Sequence, residues 1–189
     1  MDQRWRTLRS ESLLKDRWIN LRADHCVTPS GIDVSPYYVL SYPDWVHVAA
    51  ITEAGRLVLV RQYRHGARGV FLELPGGAVD AADACVEQAA RRELEEETGF
   101  TASRWELVTS VYAMPGTHTN RVHVFLALDA ECTHPQSLDP GEHEITVELS
   151  SINEVLRSLR SGSIGSALQI SSILLALAAA GYLSLCVDE

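Results

Sequence analysis

The sequence has 189 residues, of which 46% are hydrophobic, enough to bury the core of one domain with a small appendage. Its formal net charge of −9, from 16 basic and 25 acidic residues, excludes a large nucleic-acid-binding surface, since no basic run stands out. Widely spaced cysteines and the lack of a signal-peptide-like apolar stretch after Met1 predict reduced thiols and a cytoplasmic location; the cysteines are Cys26, Cys85, Cys132 and Cys186.

Strands and helices are predicted to alternate after an extended N-terminal part that reaches about residue 44 and contains a turn at Pro29-Ser30-Gly31. Runs of β-branched and aromatic residues predict strands, and apolar residues at helical spacing predict helices. The predicted strands lie near 46–52, 56–62, 105–112, 121–128 and 145–149, and the helices near 83–98, 152–160 and 166–180. This order predicts an α/β fold with a sheet between helices.

The C-terminal stretch from Ser161 to Val187 has no charged residue and could be mistaken for a membrane anchor. Serines and Gln169 interrupt its first half and Gly181 its second, which leaves fewer than the roughly 20 apolar residues that a span requires. We therefore expect a terminal helix packed against the sheet, and no membrane partner.

The segment 73–100 combines a glycine-rich turn with a helix that is rich in carboxylates. Asp80 or Asp83 is the predicted N-cap of this helix, and Gly99 is the predicted C-cap. At about 100° per residue, Glu93, Glu96 and Glu97 share an arc of roughly 100°. They continue the apolar side of the helix that Val86, Ala89 and Ala90 begin.

Three carboxylates on a face that should be buried repel one another, and they lie at the negative end of the helix dipole. A divalent cation removes both penalties, and hard oxygen ligands suit Mg²⁺ or Mn²⁺. In contrast, Arg91 lies four residues from both Glu87 and Glu95 on the opposite face, which predicts an ordinary solvated ladder of charges.

These residues resemble the Nudix box of the Nudix hydrolases, Gly-x5-Glu-x7-Arg-Glu-U-x-Glu-Glu-x-Gly-U, where U is bulky and apolar. The second half is complete, as Arg92, Glu93, Leu94, Glu96, Glu97, Gly99 and Phe100. The first half departs from the pattern. Five residues separate Gly77 from Asp83, which stands where the pattern has Glu, and eight residues instead of seven then separate Asp83 from Arg92. Counting back from Arg92 reaches Ala84, so the first acid is either shortened to Asp83 or lost.

Further segments are similar to the ADP-ribose pyrophosphatase branch of the family: Pro43–Val46, Val60–Arg64, Asn120–Ala127, and Pro115 sixteen residues after Gly99. The resemblance implies a Nudix-type α/β/α sandwich with a mixed sheet and a small N-terminal β appendage. We expect the appendage at 1–44 and the hydrolase domain at 45–189. In related enzymes the appendage helps to form a homodimer, which is expected here too.

The resemblance also implies roles for individual residues. Glu93 and Glu97 are the expected direct metal ligands, with Glu96 as a ligand or water-mediated partner and the backbone carbonyl of Gly76 as a further ligand. Arg92 would orient the acidic cluster. Glu142 and Glu144 are both candidates for the general base.

For substrate binding, Arg64 is the candidate that would hold a phosphate, and Arg61 is a weaker one. Trp45 is either a stacking platform for a base or a core anchor. Asn120 stands where many of these enzymes carry an acid, and it is a candidate for lining the pocket.

The predicted activity is Mg²⁺-dependent hydrolysis of the diphosphate bond of a nucleoside diphosphate sugar, with ADP-ribose giving AMP and ribose 5-phosphate as the first choice. Two alternatives stay open. One is hydrolysis of dinucleotides such as NADH or diadenosine polyphosphates. The other is a catalytically impaired Nudix-fold module that binds or senses nucleotides, which the altered first half of the box would explain.

Overall fold

The computed structural model describes residues 2–16 and 19–184. Its internal contacts divide the chain into two compact units, one of Met1–Asp44 with Tyr112–Arg121 and one of Trp45–Val111 with Val122–Glu189. Among the cysteines, Cys26, Cys85 and Cys132 are free thiols, as predicted, and Cys186 lies outside the described residues.

The first unit is built on a three-stranded antiparallel sheet with the order β1-β2-β3. Its strands are β1 (Arg6–Lys15), β2 (Asn20–Val27) and β3 (Asp33–Leu40). The predicted turn joins β2 to β3, and Gly31 adopts a φ of 86° there. The segment 112–121 attaches to the end of β3, because the Leu40 amide donates to Thr117 O and the Thr119 amide donates to Leu40 O.

The second unit contains a mixed six-stranded sheet. The strands are β4 (Trp45–Ile51), β5 (Arg56–Arg64), β6 (Gly69–Glu73), β8 (Arg104–Tyr112), β9 (Arg121–Leu128) and β11 (Thr146–Ser151); β7 (Phe100–Thr101) and β10 (Glu131–Cys132) pair separately. Strand β4 runs parallel to β9, whereas β5 is antiparallel to β4, β6 and β11. The order is β11-β5-β4-β9-β8, with β6 paired to β5.

Helices cover both faces of β4. Helix α1 (Val86–Thr98) packs its Ala89, Ala90 and Leu94 against the face that carries Val46, Val48 and Ala50. On the opposite face, His47 hydrogen-bonds to α3 (Ala167–Ala179), and α2 (Ile152–Ser161) follows β11. The predicted α/β/α arrangement and the packed terminal helix are thus confirmed. No helix in the described ranges is long and apolar enough to cross a membrane.

The ends of α1 test the capping predictions. Gly99 is the C-cap, with a φ of 73°, and a Cβ added there would lie 2.0 Å from the carbonyl oxygen of His134. The N-cap prediction was wrong, because the N-cap is Cys85, whose side chain makes no capping hydrogen bond. Asp83 cannot cap the helix since its carboxylate binds Arg92 instead.

Candidate active site

The glycine-rich turn lies directly against β4. The amides of Val48 and Val46 donate to Pro75 O and Gly77 O, both at 2.9 Å. A Cβ on Gly76 would lie 2.0 Å from Val46 O, so this approach requires glycine. The carbonyls on either side of Gly76 thus accept from β4, whereas the Gly76 amide donates to Glu97, so the Gly76 backbone lies between β4 and this carboxylate.

Two carboxylates of α1 are buried against this turn. Glu93 and Glu97 are 9% and 3% exposed, and the Gly76 amide donates to Glu97 Oε2 at 2.8 Å. A Cβ on Gly77 would lie within 2.8 Å of the Glu93 carboxylate. The glycine pair thus gives both acids room at the end of the turn.

Burial raises the pKa of Glu93 to about 7, and the negative charges of Glu96 and Glu142 add to this effect, while Arg92 opposes it. Burial likewise raises the pKa of Glu97 to about 8, with repulsion from Glu93 and Glu142 opposed by the Gly76 N–H. Proximity and burial therefore disfavour two negative charges here, as expected of a site that needs a cation.

Arg92 is the centre of the hydrogen bonding around these acids. Its Nη1 donates to Glu93 Oε1 and Glu96 Oε2, both at 2.9 Å. Its Nε and Nη2 donate to the two oxygens of Asp83 at 3.2 and 3.0 Å, and Nη2 also donates to Ala78 O at 3.0 Å. All five N–H groups of the guanidinium are used, so the side chain has one orientation.

Asp83 resolves the two readings of the altered box. Its side chain is only 4% exposed and pairs bidentately with Arg92, whose hydrogen bonds hold the pKa of the Asp83 carboxyl below its ordinary value. Ala84, the other candidate position, offers no acid. Of these two positions, only Asp83 places an acid on Arg92.

The remaining acids of α1 are more open to solvent. The Glu96 side chain is 43% exposed, so of the three acids on the predicted buried arc only Glu93 and Glu97 are buried. On the opposite face, Arg91 pairs with Glu87 at 2.8 Å, as predicted, whereas Glu95 lies 3.5 Å from His134.

The donor set fits a divalent cation that retains water. Within the described ranges, no three His, Cys, Asp or Glu side chains form a ready-made metal cage. Glu93 and Glu97 supply two carboxylates, and Gly76, whose carbonyl is the expected third oxygen ligand, is hydrogen-bonded to Glu97 through its amide. Mg²⁺ commonly binds through one or two carboxylates and keeps several waters, so this smaller set suits it.

A cavity of about 570 Å³ opens beside the carboxylate pair in the second unit. Of the predicted site residues, Trp45, Arg64, Gly76, Glu97 and Glu142 line it. Glu144 is exposed and does not contribute to the lining. The geometry therefore separates two candidates for the base that the sequence left equivalent.

Arg64 is held in the cavity wall by an acid. Its Nε and Nη2 donate to Glu73 Oε2 at 3.0 and 2.5 Å, and Glu73 is 4% exposed. The Arg64 side chain is still 47% exposed, so its outer edge can meet an anion. Glu73 thus orients the Arg64 guanidinium and leaves its outer edge open to the cavity.

Two predicted substrate residues lie elsewhere. Arg61 points to the other side of β5 from Arg64 and pairs with Glu148 at 2.6 Å. Asn120 belongs to the first unit, where it is 1% exposed and neither atom of its amide has a hydrogen-bond partner in the described chain. Their roles in substrate binding stay predictions.

The sequence analysis gave no site role to five polar residues of the cavity wall, which are His47, Gln62, Glu73, Ser166 and Gln169. Glu73 had a visible signal, an acid that directly precedes the turn at the end of an apolar run. His47 gave none, since it stands alone in an apolar strand, and Gln169 differs little from the polar residues around it, Ser166, Ser171 and Ser172. Burial lowers the pKa of His47 to about 4, helped by the charge of Arg64, so its imidazole is neutral at pH 7.

Comparison with known proteins agrees with this geometry. Residues 42–165 match the NUDIX domain model, and residues 5–40 match the nucleoside diphosphate sugar hydrolase N-terminal domain. The chain is 32% identical to the ADP-ribose pyrophosphatase of Bacillus subtilis, over 76% of this chain and 79% of that protein. It is 28% identical to the methanol dehydrogenase activator of Bacillus methanolicus, over 82% and 83% of the two chains.

A solved structure described as an ADP compounds hydrolase superposes with a TM-score of 0.82 at 20% identity, covering 96% of this chain and 98% of that one. At this identity the likeness shows the fold. The domain match extends from just before β4 to just before α3 and includes the whole acidic site. The chain belongs to the Nudix hydrolase family.

Proposed function

We propose that this protein hydrolyses the diphosphate bond of a nucleoside diphosphate sugar with Mg²⁺, ADP-ribose giving AMP and ribose 5-phosphate. One observation carries the proposal: two buried carboxylates with raised pKa values, Glu93 and Glu97, meet a glycine turn at the edge of a cavity that also contains a cationic Arg64. The named function of the Bacillus subtilis relative supports ADP-ribose as the first substrate to test.

Glu93, Glu97 and the Gly76 carbonyl would hold the cation, with Glu96 reaching it through water. When bound, the metal neutralises charge on the diphosphate oxygens and eases the deprotonation of water. Mn²⁺, which also prefers oxygen ligands, is the expected substitute.

The protein's own groups would place the substrate and move the proton. Arg64, oriented by Glu73, binds a phosphate through its exposed edge. Trp45 lies in the wall of the cavity, where its ring can stack on a base. Glu142 accepts a proton from the attacking water, whose oxygen bonds to phosphorus as the bond to the bridging oxygen breaks.

An impaired binding module is the competing function, and its main support was the altered first half of the box. The bidentate contact of Asp83 with Arg92 weakens that support, because the second half of the box is fully oriented. Hydrolysis of dinucleotides is the competing activity, and it uses the same chemistry on a larger substrate.

A substrate panel separates these functions. Purified protein with Mg²⁺ or Mn²⁺ is given ADP-ribose, other nucleoside diphosphate sugars, NADH and diadenosine polyphosphates, and the products are identified by chromatography. We expect the highest kcat/KM for a nucleoside diphosphate sugar, with AMP as the nucleotide product from ADP-ribose. Saturable binding of these ligands without turnover would instead establish the binding module.

We further propose a homodimer formed through the first unit. All ten residues of β1 are exposed, and the apolar side chains of Leu8, Leu13 and Leu14 keep about half of their surface open. A long exposed strand that carries unburied leucines is typical of an association surface. Sedimentation equilibrium tests the proposal, and a monomer at micromolar concentration would contradict it. A cytoplasmic location stays a prediction from the sequence.

A further inference from the structure

Helix α3 takes part in the site although it lies outside both ranges that match known domains, 5–40 and 42–165. Gln169, in its first turn, is 5% exposed and lines the cavity beside the glycine turn. A buried amide side chain at such a place needs partners for both its oxygen and its nitrogen.

The contacts of Gln169 give its amide one orientation. The Leu74 amide donates to Gln169 Oε1 at 2.9 Å, and a backbone N–H can only donate, so the oxygen must face Leu74. Nε2 then faces His47 Nε2 at 3.4 Å, which makes that ring nitrogen an acceptor. The proton of His47 is therefore on Nδ1 and is donated to Ser172 Oγ at 2.9 Å.

Leu74 begins the segment that carries the site. The following residues are tied to β4 through the carbonyls of Pro75 and Gly77, and the Gly76 amide is tied to Glu97. Gln169 supplies the tie at the start of this segment, from the opposite face of β4. Without it, the Leu74 N–H would be buried with no acceptor, and the segment would shift to satisfy it.

We propose that Gln169 is a positioning residue, which sets the place of the Gly76 carbonyl relative to Glu97 by holding the Leu74 amide. This inference rests on the proposed function, since it assigns the Gly76 carbonyl to the cation. Relaxation of the segment is possible only in the metal-free protein. Losing Gln169 therefore weakens metal affinity, because the metal must then pull the segment back into place.

The test is Mn²⁺ binding to the full chain, followed by electron paramagnetic resonance of the free ion without substrate. Gln169→Met keeps the size of the side chain and removes the acceptor. We expect its Mn²⁺ dissociation constant to rise about tenfold, the low end of what loss of an outer hydrogen-bond partner does at metal sites. Ser172→Ala is the matched control: it removes a hydrogen bond of the same network without touching Leu74, and its affinity should change by less than twofold.

Activity assays add a second readout. In Gln169→Met, the Mn²⁺ concentration for half-maximal rate should rise in parallel, while kcat at saturating Mn²⁺ stays within about threefold of the wild type. A raised KM for the nucleotide with unchanged Mn²⁺ affinity would overturn the proposal, because Gln169 would then be a substrate contact. Equal loss of affinity in Ser172→Ala would also overturn it.

If Gln169→Met does not fold, Gln169→Asn serves instead, since it keeps the amide but withdraws it by one methylene. It should weaken Mn²⁺ binding in the same direction, and wild-type affinity in a folded Asn variant would refute the role. Failure of the proposed function gives a different result. If the wild type binds Mn²⁺ but hydrolyses no nucleotide, the proposed function fails and the Mn²⁺ affinities of the variants still decide the role of Gln169. If the wild type binds no Mn²⁺, the positioning role is refuted as well.

Discussion

Replacing Glu97 by Gln should make the metal-free protein more stable at alkaline pH while it removes activity. The two side chains have nearly the same shape, and the amide oxygen of Gln can still accept the hydrogen bond from the Gly76 amide. The variant therefore changes the charge of a buried group and little else.

The size of the effect follows from the pKa of Glu97, which burial raises from 4.5 to about 8. At about 1.36 kcal/mol per pKa unit, the ionised carboxylate is at most about 5 kcal/mol less favourable in the folded protein than in the unfolded chain. A buried amide has its own desolvation cost. We therefore expect a net gain of about 2 kcal/mol at pH 9, or roughly 4–8 °C in Tm for a chain of this size.

The sign of the pH dependence follows from the direction of the shift. Because the folded pKa is raised, wild-type stability is complete below the unfolded pKa of 4.5 and falls as the pH rises to about 8. Relative to wild type, the Gln variant should therefore be less stable at pH 5, where the folded wild-type carboxyl is neutral and only the desolvation cost of the amide counts, and its advantage should be largest above pH 8.

The assay is thermal unfolding in EDTA from pH 5 to 9, with Glu95→Gln as the control, because Glu95 is an exposed acid on the same helix. Turnover of the Glu97 variant with Mg²⁺ should fall on the order of 10³-fold, since several kcal/mol of transition-state stabilisation depend on the metal. A variant that is less stable than wild type at pH 9, or that keeps its rate, would refute the reasoning.

Three further predictions concern the surroundings of the carboxylate pair. Asp83→Ala should lower the free energy of unfolding, measured with denaturant, by about 1.5–3 kcal/mol, since it removes hydrogen bonds to a charged guanidinium. Asp83→Glu should not raise kcat, and a large rise in its kcat would contradict the role given to Asp83. Glu142→Gln should lower kcat by about 10²–10⁴-fold as the loss of a general base does, while Glu144→Gln stays within about twofold at saturating Mg²⁺; equal effects would refute the choice between them. Arg64→Lys should raise KM about tenfold, because an ammonium cannot bind a phosphate bidentately as a guanidinium does. Arg61→Lys, on the other face of the strand, should leave KM unchanged. A similar rise in KM for both variants would show that Arg64 does not bind the phosphate.

The parts of the fold that the sequence predicted depend on local signals. The end of α1 at Gly99 and the burial of Glu93 and Glu97 follow from a left-handed cap and a helical repeat, each contained within about two turns. The strands from residue 45 onward follow from runs of apolar residues. By contrast, the short strand β6 (Gly69–Glu73) offers only five residues and starts with glycine, and it escaped prediction.

The contacts that could not be predicted join residues that are distant in the chain. Arg64 is paired with Gly69, and Glu73 with Val60, so the two side chains share one face of the β5–β6 pair and meet along it. A slip of one residue would place them on opposite faces. Gln169 meets the amide of Leu74 only because α3 returns to the sheet ninety-five residues later. Such partners depend on packing, which no local pattern encodes.

The altered first half of the box departs from the sequence pattern but still pairs an acid with Arg92. The pattern has a Glu at a fixed distance before Arg92, and in this chain that position holds Ala84. Here the loop before the helix is one residue longer and the acid is one methylene shorter, and both oxygens of Asp83 still accept from one edge of the Arg92 guanidinium, through Nε and Nη2. Two departures from the pattern, a longer loop and a shorter acid, are thus compatible with an acid paired to this arginine. That contact orients the arginine that binds Glu93 and Glu96, which is why the lengthened box is compatible with an active enzyme.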